Sequence, residues 1–410
     1  MRNQFELRPF SRDEYELAIQ VVEQAFLLGG RQEDRNVFAA RFEFPRSLGA
    51  YLGDRVVGTA GAYTFELSVP GTTAPAAGVT IVTVHPTHRR RGILSAMMDH
   101  QLADLHEGGE PIAVLRASEA SIYRRFGYAV ATRELVLEVD RAAAGLAKSI
   151  PGADALELRL HEPGEVLGQL AEVYDAVRPD RPGFIGRKDG DWADELHDPD
   201  HRRHGATALR AVLAVDGADP RGYVLYRVRQ DWTDGLPTGR VYVAELVAAD
   251  PTAEAALWQH ELNVDLATTT EAGTRPLDEP LLRRLANPRQ ARARVFDGLW
   301  LRLVRLGDAL AARCYAAPVD LVLEVLDTRC PWNTGRWRLA GDETGATCDR
   351  TATPADLRID ITALAGAYLG DPVLTGYAAA GLIDEGQPAA LRRLATALGW
   401  TPEPWCPHHF

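Results

Sequence analysis

The sequence predicts α/β architecture for its first two parts and α+β for its last, on three observations. A β-branched run, Ile81-Val82-Thr83-Val84, is stopped by Pro86 and followed by a basic turn and an apolar helical pattern from Ile93. Strand, turn and helix at that spacing make an α/β unit. The layout returns where Val241–Val247 runs into Asp250-Pro251-Thr252-Ala253 and a helical stretch, Glu254–Leu262. The last stretch then changes to alternating strand patterns followed by helices, which pattern alone reads as α+β.

A chain of 410 residues predicts two or three domains. With 46% apolar and 25% charged residues the composition is globular. A net charge of −12 argues against nucleic acid or an anionic membrane as partner, and suits a cationic substrate. Cys314, Cys330, Cys348 and Cys406 form no CxxC pair and are expected as free buried thiols in a reducing compartment. No signal-peptide pattern or membrane-length apolar run is seen, so a cytoplasmic protein is expected.

Ser11-x-x-Glu14 is a capping box that opens a helix carrying Leu17, Val21, Val22, Ala25 and Phe26, stopped by Gly29-Gly30. Strands are expected at Leu48–Leu52 and Arg55–Thr59 around a Gly53-Asp54 turn, and at Tyr63–Val69. The helix after the basic turn buries Leu94, Met97, Met98, Leu102 and Leu105 and ends at Gly108-Gly109. Ile112–Ala117 is the next buried strand, and Leu135–Val139 completes the first unit near residue 140. A Gly- and Ala-containing linker, Ala142–Asp154, leads to the second unit. There a strand at Leu156, Leu158 and Leu160, a helix over Val166–Val177 and strands at Tyr223–Arg229 and Val241–Val247 are expected, with Leu299–Val304 closing the unit. The last part reads as a short helix at Ala309–Tyr315, strands at Leu321–Leu326, Arg336–Leu339 and Leu357–Ile361, and helices over Thr362–Leu369 and Pro388–Leu398.

The turn after the Ile81–Val84 strand is built to hold an anion. The first amides of a helix lack internal partners and its dipole favours negative charge, while Gly92 lets backbone approach a phosphate. No Gly-Lys-Ser/Thr and no G-x-G-x-x-G is present, which excludes a P-loop and a dinucleotide fingerprint. R-R-R-G-I-L after I-V-T-V resembles the coenzyme A pyrophosphate loop of GNAT-type N-acetyltransferases, departing from it at Leu94. A-S-E-x-x-I-Y-x-R-F-G-Y (Ala117–Tyr128), F-D-G-L-W-L-R-L (Phe296–Leu303) and a final phenylalanine, Phe410, are similar to the enhanced intracellular survival (Eis) family of acetyltransferases.

That resemblance implies tandem GNAT folds, the second degenerate because Gly92 and the arginines have no counterpart there, followed by a sterol carrier protein-like α+β domain. The implied parts are a catalytic GNAT domain over 1–140, a GNAT-like domain over 141–304 that could wall the substrate cleft, and a third domain over 305–410. It implies acetyl transfer from acetyl-coenzyme A (acetyl-CoA), without a metal, to amines of small polycationic, aminoglycoside-like molecules or to lysine side chains, directly through a tetrahedral intermediate. A homohexamer built as a trimer of dimers is implied too.

By the same resemblance, two strands splay at the cradle, and Val82, Thr83 and Val84 line the acetyl-CoA site by backbone. Arg90, Arg91, Gly92, Ile93, Leu94 and Ser95 hold the pyrophosphate, and Ser118 and Glu119 flank the pantetheine arm. Tyr123 is the candidate general acid, since a phenol of reference pKa ~10 stays protonated at neutral pH. Tyr128 is the runner-up, read as core. The α-carboxylate of Phe410 is the implied base, with His408 and His409 as alternatives; His85 and His88 read as loop surface. Phe26 and residues of the 30s are expected on one rim. The segment Trp405–His409 departs from the acidic tail expected for strong polyamine binding. A non-catalytic acyl-CoA sensor or lipid carrier on the same scaffold is the competing reading.

Overall fold

Glu14 starts the first helix by accepting the Ser11 N–H at 2.9 Å. The structure, a computed structural model, describes residues 5–146 and 150–410. In chain order its first part contains β1 (Glu6–Arg8), α1 (Tyr15–Phe26), α2 (Gln32–Arg41), β2 (Ser47–Leu52), β3 (Arg55–Val69), β4 (Thr72–Val84), α3 (Ile93–Glu107), β5 (Ile112–Arg116), α4 (Ala120–Tyr123) and β6 (Ala129–Val130). Helix α1 stops at Leu27, left-handed at φ 59°, just before the expected glycines. Helix α2 was not foreseen, because it has no fully buried residue and so no apolar stripe to read. The strands expected at Arg55–Thr59 and Tyr63–Val69 are one continuous strand, β3.

The middle of the chain forms β7 (Arg133–Asp140), α5 (Arg141–Ala144), β8 (Glu157–His161), α6 (Leu167–Val177), α7 (Asp189–Glu195), β9 (Arg210–Asp216), β10 (Asp219–Arg229), a small hairpin of β11 (Trp232–Thr233) and β12 (Leu236–Pro237), β13 (Gly239–Ala248), α8 (Pro251–Leu262), β14 (Ala267–Arg275), α9 (Leu281–Arg284) and β15 (Arg294–Asp297). Of the expected linker Ala142–Asp154, residues 147–149 lie outside the described residues. The last part contains β16 (Leu299–Leu303), α10 (Leu306–Ala311), β17 (Val319–Leu326), β18 (Gly335–Asp342), β19 (Gly345–Arg350), β20 (Leu357–Asp360), α11 (Ile361–Ala367), α12 (Leu374–Ala379), β21 (Ile383–Glu385) and α13 (Ala390–Leu398).

The chain forms two compact units. The first holds residues up to Thr132, then Leu299–Thr401 and His409–Phe410. Its large sheet has the order β1-β2-β3-β4-β5-β16-β6, and a five-stranded sheet, β19-β18-β17-β20-β21, carries the α+β part. The second unit holds Arg133–Gly298 and Pro402–His408, around a sheet ordered β15-β7-β14-β13-β10-β9-β8.

Two strands therefore stand opposite to expectation. The strand predicted to complete the first unit, Leu135–Val139, pairs with β14 and β15 of the second. The strand predicted to close the second, Leu299–Val304, pairs with β5 and β6 of the first. All five residues of β16 are buried, which fits an interior slot covered on both faces. Where the chain leaves the first unit after Thr132 and comes back at Leu299, the amides of Ala131 and Thr132 donate to the Leu299 carbonyl, at 2.9 and 3.2 Å; it leaves again at Pro402 and comes back at His409.

The second unit contains a buried charge network of its own. Arg187 and Glu245 are almost fully inaccessible and pair through both guanidinium ends, at 2.9 and 2.5 Å. Tyr223 donates its hydroxyl to the same carboxylate, and the guanidinium stacks on Tyr174 and Trp192 at 4.2 and 4.6 Å. In this unit Trp405 donates its indole N–H to the Thr274 carbonyl at 2.7 Å and packs against Phe184. Removing one partner of a buried pair strands the other charge. Glu245→Ala should therefore lower stability by about 3–5 kcal/mol in chemical denaturation, and Glu245→Gln by less. A loss under ~1 kcal/mol for the alanine variant would show that water replaces the carboxylate.

Candidate active site

The site begins where β4 parts from β5. Their parallel ladder has three pairs, Ala76–Ile112, Ala77–Ala113 and Gly78–Val114, and goes no further. Gly78 is required there, because a Cβ would lie 2.1 Å from the Phe65 ring that covers it. Just beyond, Ile81 takes a left-handed conformation, φ 47°, and the register against β3 shifts between Thr59 and Gly61. Thr59 pins this bulge: its hydroxyl donates to the Ile81 carbonyl at 2.6 Å and lies 2.6 Å from the Thr83 hydroxyl. A bulge sharpens the twist of a strand and ends its pairing. Val82–Val84 thus turn unpaired backbone toward the β5 side.

That backbone opens into a cleft of about 820 Å³. Of the residues predicted from the sequence, Val82, Thr83, Val84, Arg90, Gly92, Ile93, Leu94, Ser95, Ser118, Glu119 and Tyr123 line it. Arg91 and Phe410 are not among its lining residues. Arg89, Ser121, Ile122 and Arg125 line it and were missed, although all four lie within or beside the quoted motifs, and His88, read as loop surface, lines it as well. Phe26 lines it with Ala25 and Leu27. Of the 30s helix, Phe38 packs instead against Tyr15 and Phe42.

Helix α3 presents its N-terminus to the cleft. Gly92 caps it with φ 82° and has no side chain to occupy the first amides; the first helical bond is Ala96 N–H to the Gly92 carbonyl at 3.0 Å. Arg90, also left-handed at φ 63°, turns the chain into this cap. A Cβ at Gly92 would meet no protein atom within 4 Å, so this side of the backbone is open to a ligand, and the left-handed conformation is a second reason for glycine here. Partial burial, then Arg91, His85 and Arg55, push the His88 imidazole below its ordinary value, leaving arginine as the loop's cation at neutral pH.

The corresponding helix of the second unit is closed to an anion. At α8 the Asp250 carboxylate itself accepts from the amides of Thr252 and Ala253, at 2.8 and 3.1 Å, and pairs with Arg221 at 2.9 Å. Burial alone would raise this carboxyl, yet those amides and Arg221 together hold it below the usual range. A side-chain carboxylate fills the place a phosphate would take, which is the physical content of the unit's degeneracy.

Tyr123 ends α4, buried but lining the cleft. Burial, then the charge of Glu119, push its phenol up to about 12. Tyr128 lies 6.0 Å away, centroid to centroid, fully buried and outside the cleft lining. Phe410 sets its ring edge-on against Phe65, 4.9 Å between centroids. Phe65 is the ring over Gly78, so the last side chain of the sequence rests on the residue covering the start of the splay. Tyr63 extends this aromatic face, with the Arg41 guanidinium 4.5 Å above it. His409 is exposed in the same unit, whereas His408 belongs to the second, buried near Asp191 and Glu195.

These features match those of known proteins. Residues 6–131 and 183–306 each match an acetyltransferase (GNAT) domain family, and 306–407 match the sterol carrier protein domain. The N-acetyltransferase Eis of Mycobacterium tuberculosis is 37% identical over 85% of this chain and 84% of its own. The chain belongs to the Eis family of GNAT N-acetyltransferases. An uncharacterized N-acetyltransferase of Streptomyces avermitilis is 44% identical over 99% of both chains. The crystal structure of Eis1 from Mycobacterium abscessus superposes with a TM-score of 0.83 at 33% identity, covering 99% of this chain and 100% of the other. The fold is thus tandem GNAT domains followed by a sterol carrier protein-like domain, and the protein is an acetyltransferase, which sets aside the non-catalytic reading.

GNAT domains use acetyl-CoA as co-substrate, and the open α3 terminus with its arginines fits a pyrophosphate. Among the described residues no three His, Cys, Asp or Glu side chains are grouped to hold a metal, and no helix is long and apolar enough to cross a membrane. None of the four cysteines is in a disulfide, and three of them are buried. A left-handed non-glycine residue costs roughly 1–2 kcal/mol. Gly92→Ala should therefore raise KM for acetyl-CoA by about 5- to 30-fold with kcat little changed. An unchanged KM in steady-state kinetics would remove the cradle.

Proposed function

We propose that this enzyme transfers the acetyl group of acetyl-CoA directly to a primary amine of a small polycationic, aminoglycoside-like molecule or a lysine side chain, with Tyr123 as general acid. The observation that carries the proposal is the placement of Tyr123 in one cleft with the α3 terminus and the freed backbone of Val82–Val84.

When bound, acetyl-CoA supplies an activated thioester carbonyl. The amides of Ile93–Ser95, with Arg90 and Arg91, hold the pyrophosphate, and Ser118 and Glu119 flank the arm. A backbone N–H near Val84 polarises the carbonyl and stabilises the oxyanion of the tetrahedral intermediate. Tyr123, whose phenol burial pushes up to about 12 and so keeps protonated at neutral pH, delivers its proton to the departing sulfur. The acceptor amine loses its proton to the α-carboxylate of Phe410. Such a carboxyl has a reference pKa of ~3.3–3.7, so desolvation has to raise it for this work. The seat of Phe410 on Phe65 supports a fixed rather than frayed end.

The net charge of −12 and the aromatic face of Tyr63, Phe65 and Phe410 support a cationic acceptor. We assign catalysis to the first GNAT part, a structural role to the second, and the terminal carboxylate to the sterol carrier protein-like part. The working assembly is a cytoplasmic homohexamer without nucleic-acid or membrane partners.

Tyr123→Phe keeps the ring and deletes the proton, so kcat should fall by roughly 10²–10⁴-fold with KM nearly unchanged. A larger loss from Tyr128→Phe would transfer the role. Adding one glycine after Phe410 should displace the carboxylate and cut turnover while leaving acetyl-CoA binding intact. Full activity in a free-thiol assay over a panel of amines would exclude the carboxylate and move the base to His409 or water.

A further inference from the structure

Tyr123 reaches the cleft through the turn that follows it, and that turn is held by residues far away in the sequence. After α4 the chain makes one 3-10 turn, Arg124–Phe126, and leaves it through Gly127 at φ 84°. The turn closes with Tyr128 N–H to the Tyr123 carbonyl at 3.4 Å. Two arginines press on it. The Arg302 guanidinium of β16, with no solvent exposure, lies against Gly127 so closely that a Cβ there would be 2.5 Å from its Nη1. Arg329, between β17 and β18, donates from Nε to the Arg125 carbonyl at 3.3 Å and sets its guanidinium 5.0 Å from the centre of the Phe126 ring. Its Nη1 also pairs with Asp99 of α3, at 3.1 Å.

One carboxylate ties these arginines together. Asp327, nearly inaccessible, accepts from Arg302 Nη2 with both carboxylate oxygens, at 2.8 and 2.7 Å. It also accepts the backbone amides of Arg329 and Cys330, at 3.2 and 3.0 Å, and the Asn333 amide at 3.0 Å. Cys330 and Trp332 of this loop then pack into the same apolar cluster as Tyr123, Phe126 and Tyr128. A buried carboxylate with every acceptor site used fixes its surroundings in one geometry. A displacement of about 1 Å in a reacting group is enough to cost a hundredfold in rate.

We propose that Arg329 is a positioning residue for Tyr123, so that the loop Asp327–Asn333 of the sterol carrier protein-like part sets the aim of the general acid in the first GNAT part. This rests on the Tyr123 reading. Arg329 touches the turn after Tyr123, and its side chain is about one third exposed, so it can be changed without opening the core. Arg302 and Asp327 are too deeply buried to be safe probes.

A double-mutant cycle on the full chain tests it. Arg329→Ala should lower kcat about tenfold with KM for acetyl-CoA and the thermal midpoint unchanged. In a Tyr123→Phe background the same substitution should lower kcat less than about twofold, because the acid it aims is gone. Asp99→Asn, which loosens the other end of Arg329, should give a smaller loss with the same dependence on Tyr123. Equal losses in both backgrounds, or no loss with Tyr123 present, would overturn the positioning role while leaving Tyr123 as the acid. Wild-type turnover by Tyr123→Phe alone would instead remove the acid, and the inference with it.

Discussion

Three ladder pairs between β4 and β5 set the terms for everything else in the first unit. Two parallel strands that continued side by side would consume each other's amides and carbonyls. Here the Phe65 ring over Gly78 and the left-handed Ile81, pinned by Thr59, end the pairing. The unpaired backbone of Val82–Val84 has to be satisfied by something that enters from outside, and the cleft beside it is where a long, polar-ended thioester fits. The aromatic residue at the start of the splay is also the one that seats Phe410.

The two helices that follow equivalent strands show how small a change separates a binding site from a scaffold. At α3 the cap is a glycine, and its first amides face the cleft; at α8 the cap is Asp250, and its carboxylate takes up the first amides itself. An aspartate at an N-cap stabilises a helix by roughly 0.5–2 kcal/mol. The second unit keeps that stability and forgoes the anion. The first leaves the helix end unsatisfied, as a site for a ligand's charge requires.

Catalytic groups on turns need rigid support, because a turn has few bonds of its own. The segment from Tyr123 to Tyr128 is short, contains one left-handed glycine, and is held chiefly by side chains that arrive from β16 and the loop after β17. Burying Asp327 and Arg302 together leaves that arrangement few alternatives, since any shift would strand a charge.

By itself the sequence determined the local chemistry: the strand, the basic loop, the glycine at 92, the tyrosine motif, the capping box at Ser11 and the change of character in the last part. Each is a matter of residues close in the chain, where period and turn preference suffice. Helix α2 and strand β14 were not legible, because α2 carries no apolar stripe and Ala267–Arg275 is a polar run that becomes a strand only between β7 and β13. What tertiary structure alone decided is partnership. Leu135–Val139 and Leu299–Leu303 both read as strands, yet which sheet each joins depends on the slot left open between strands distant in the chain. The same holds for Arg329, which looks like one more surface charge until the fold sets it against the Arg125 carbonyl, 204 residues earlier in the chain. Alternation marks which face of a strand is buried, but carries no record of what buries it.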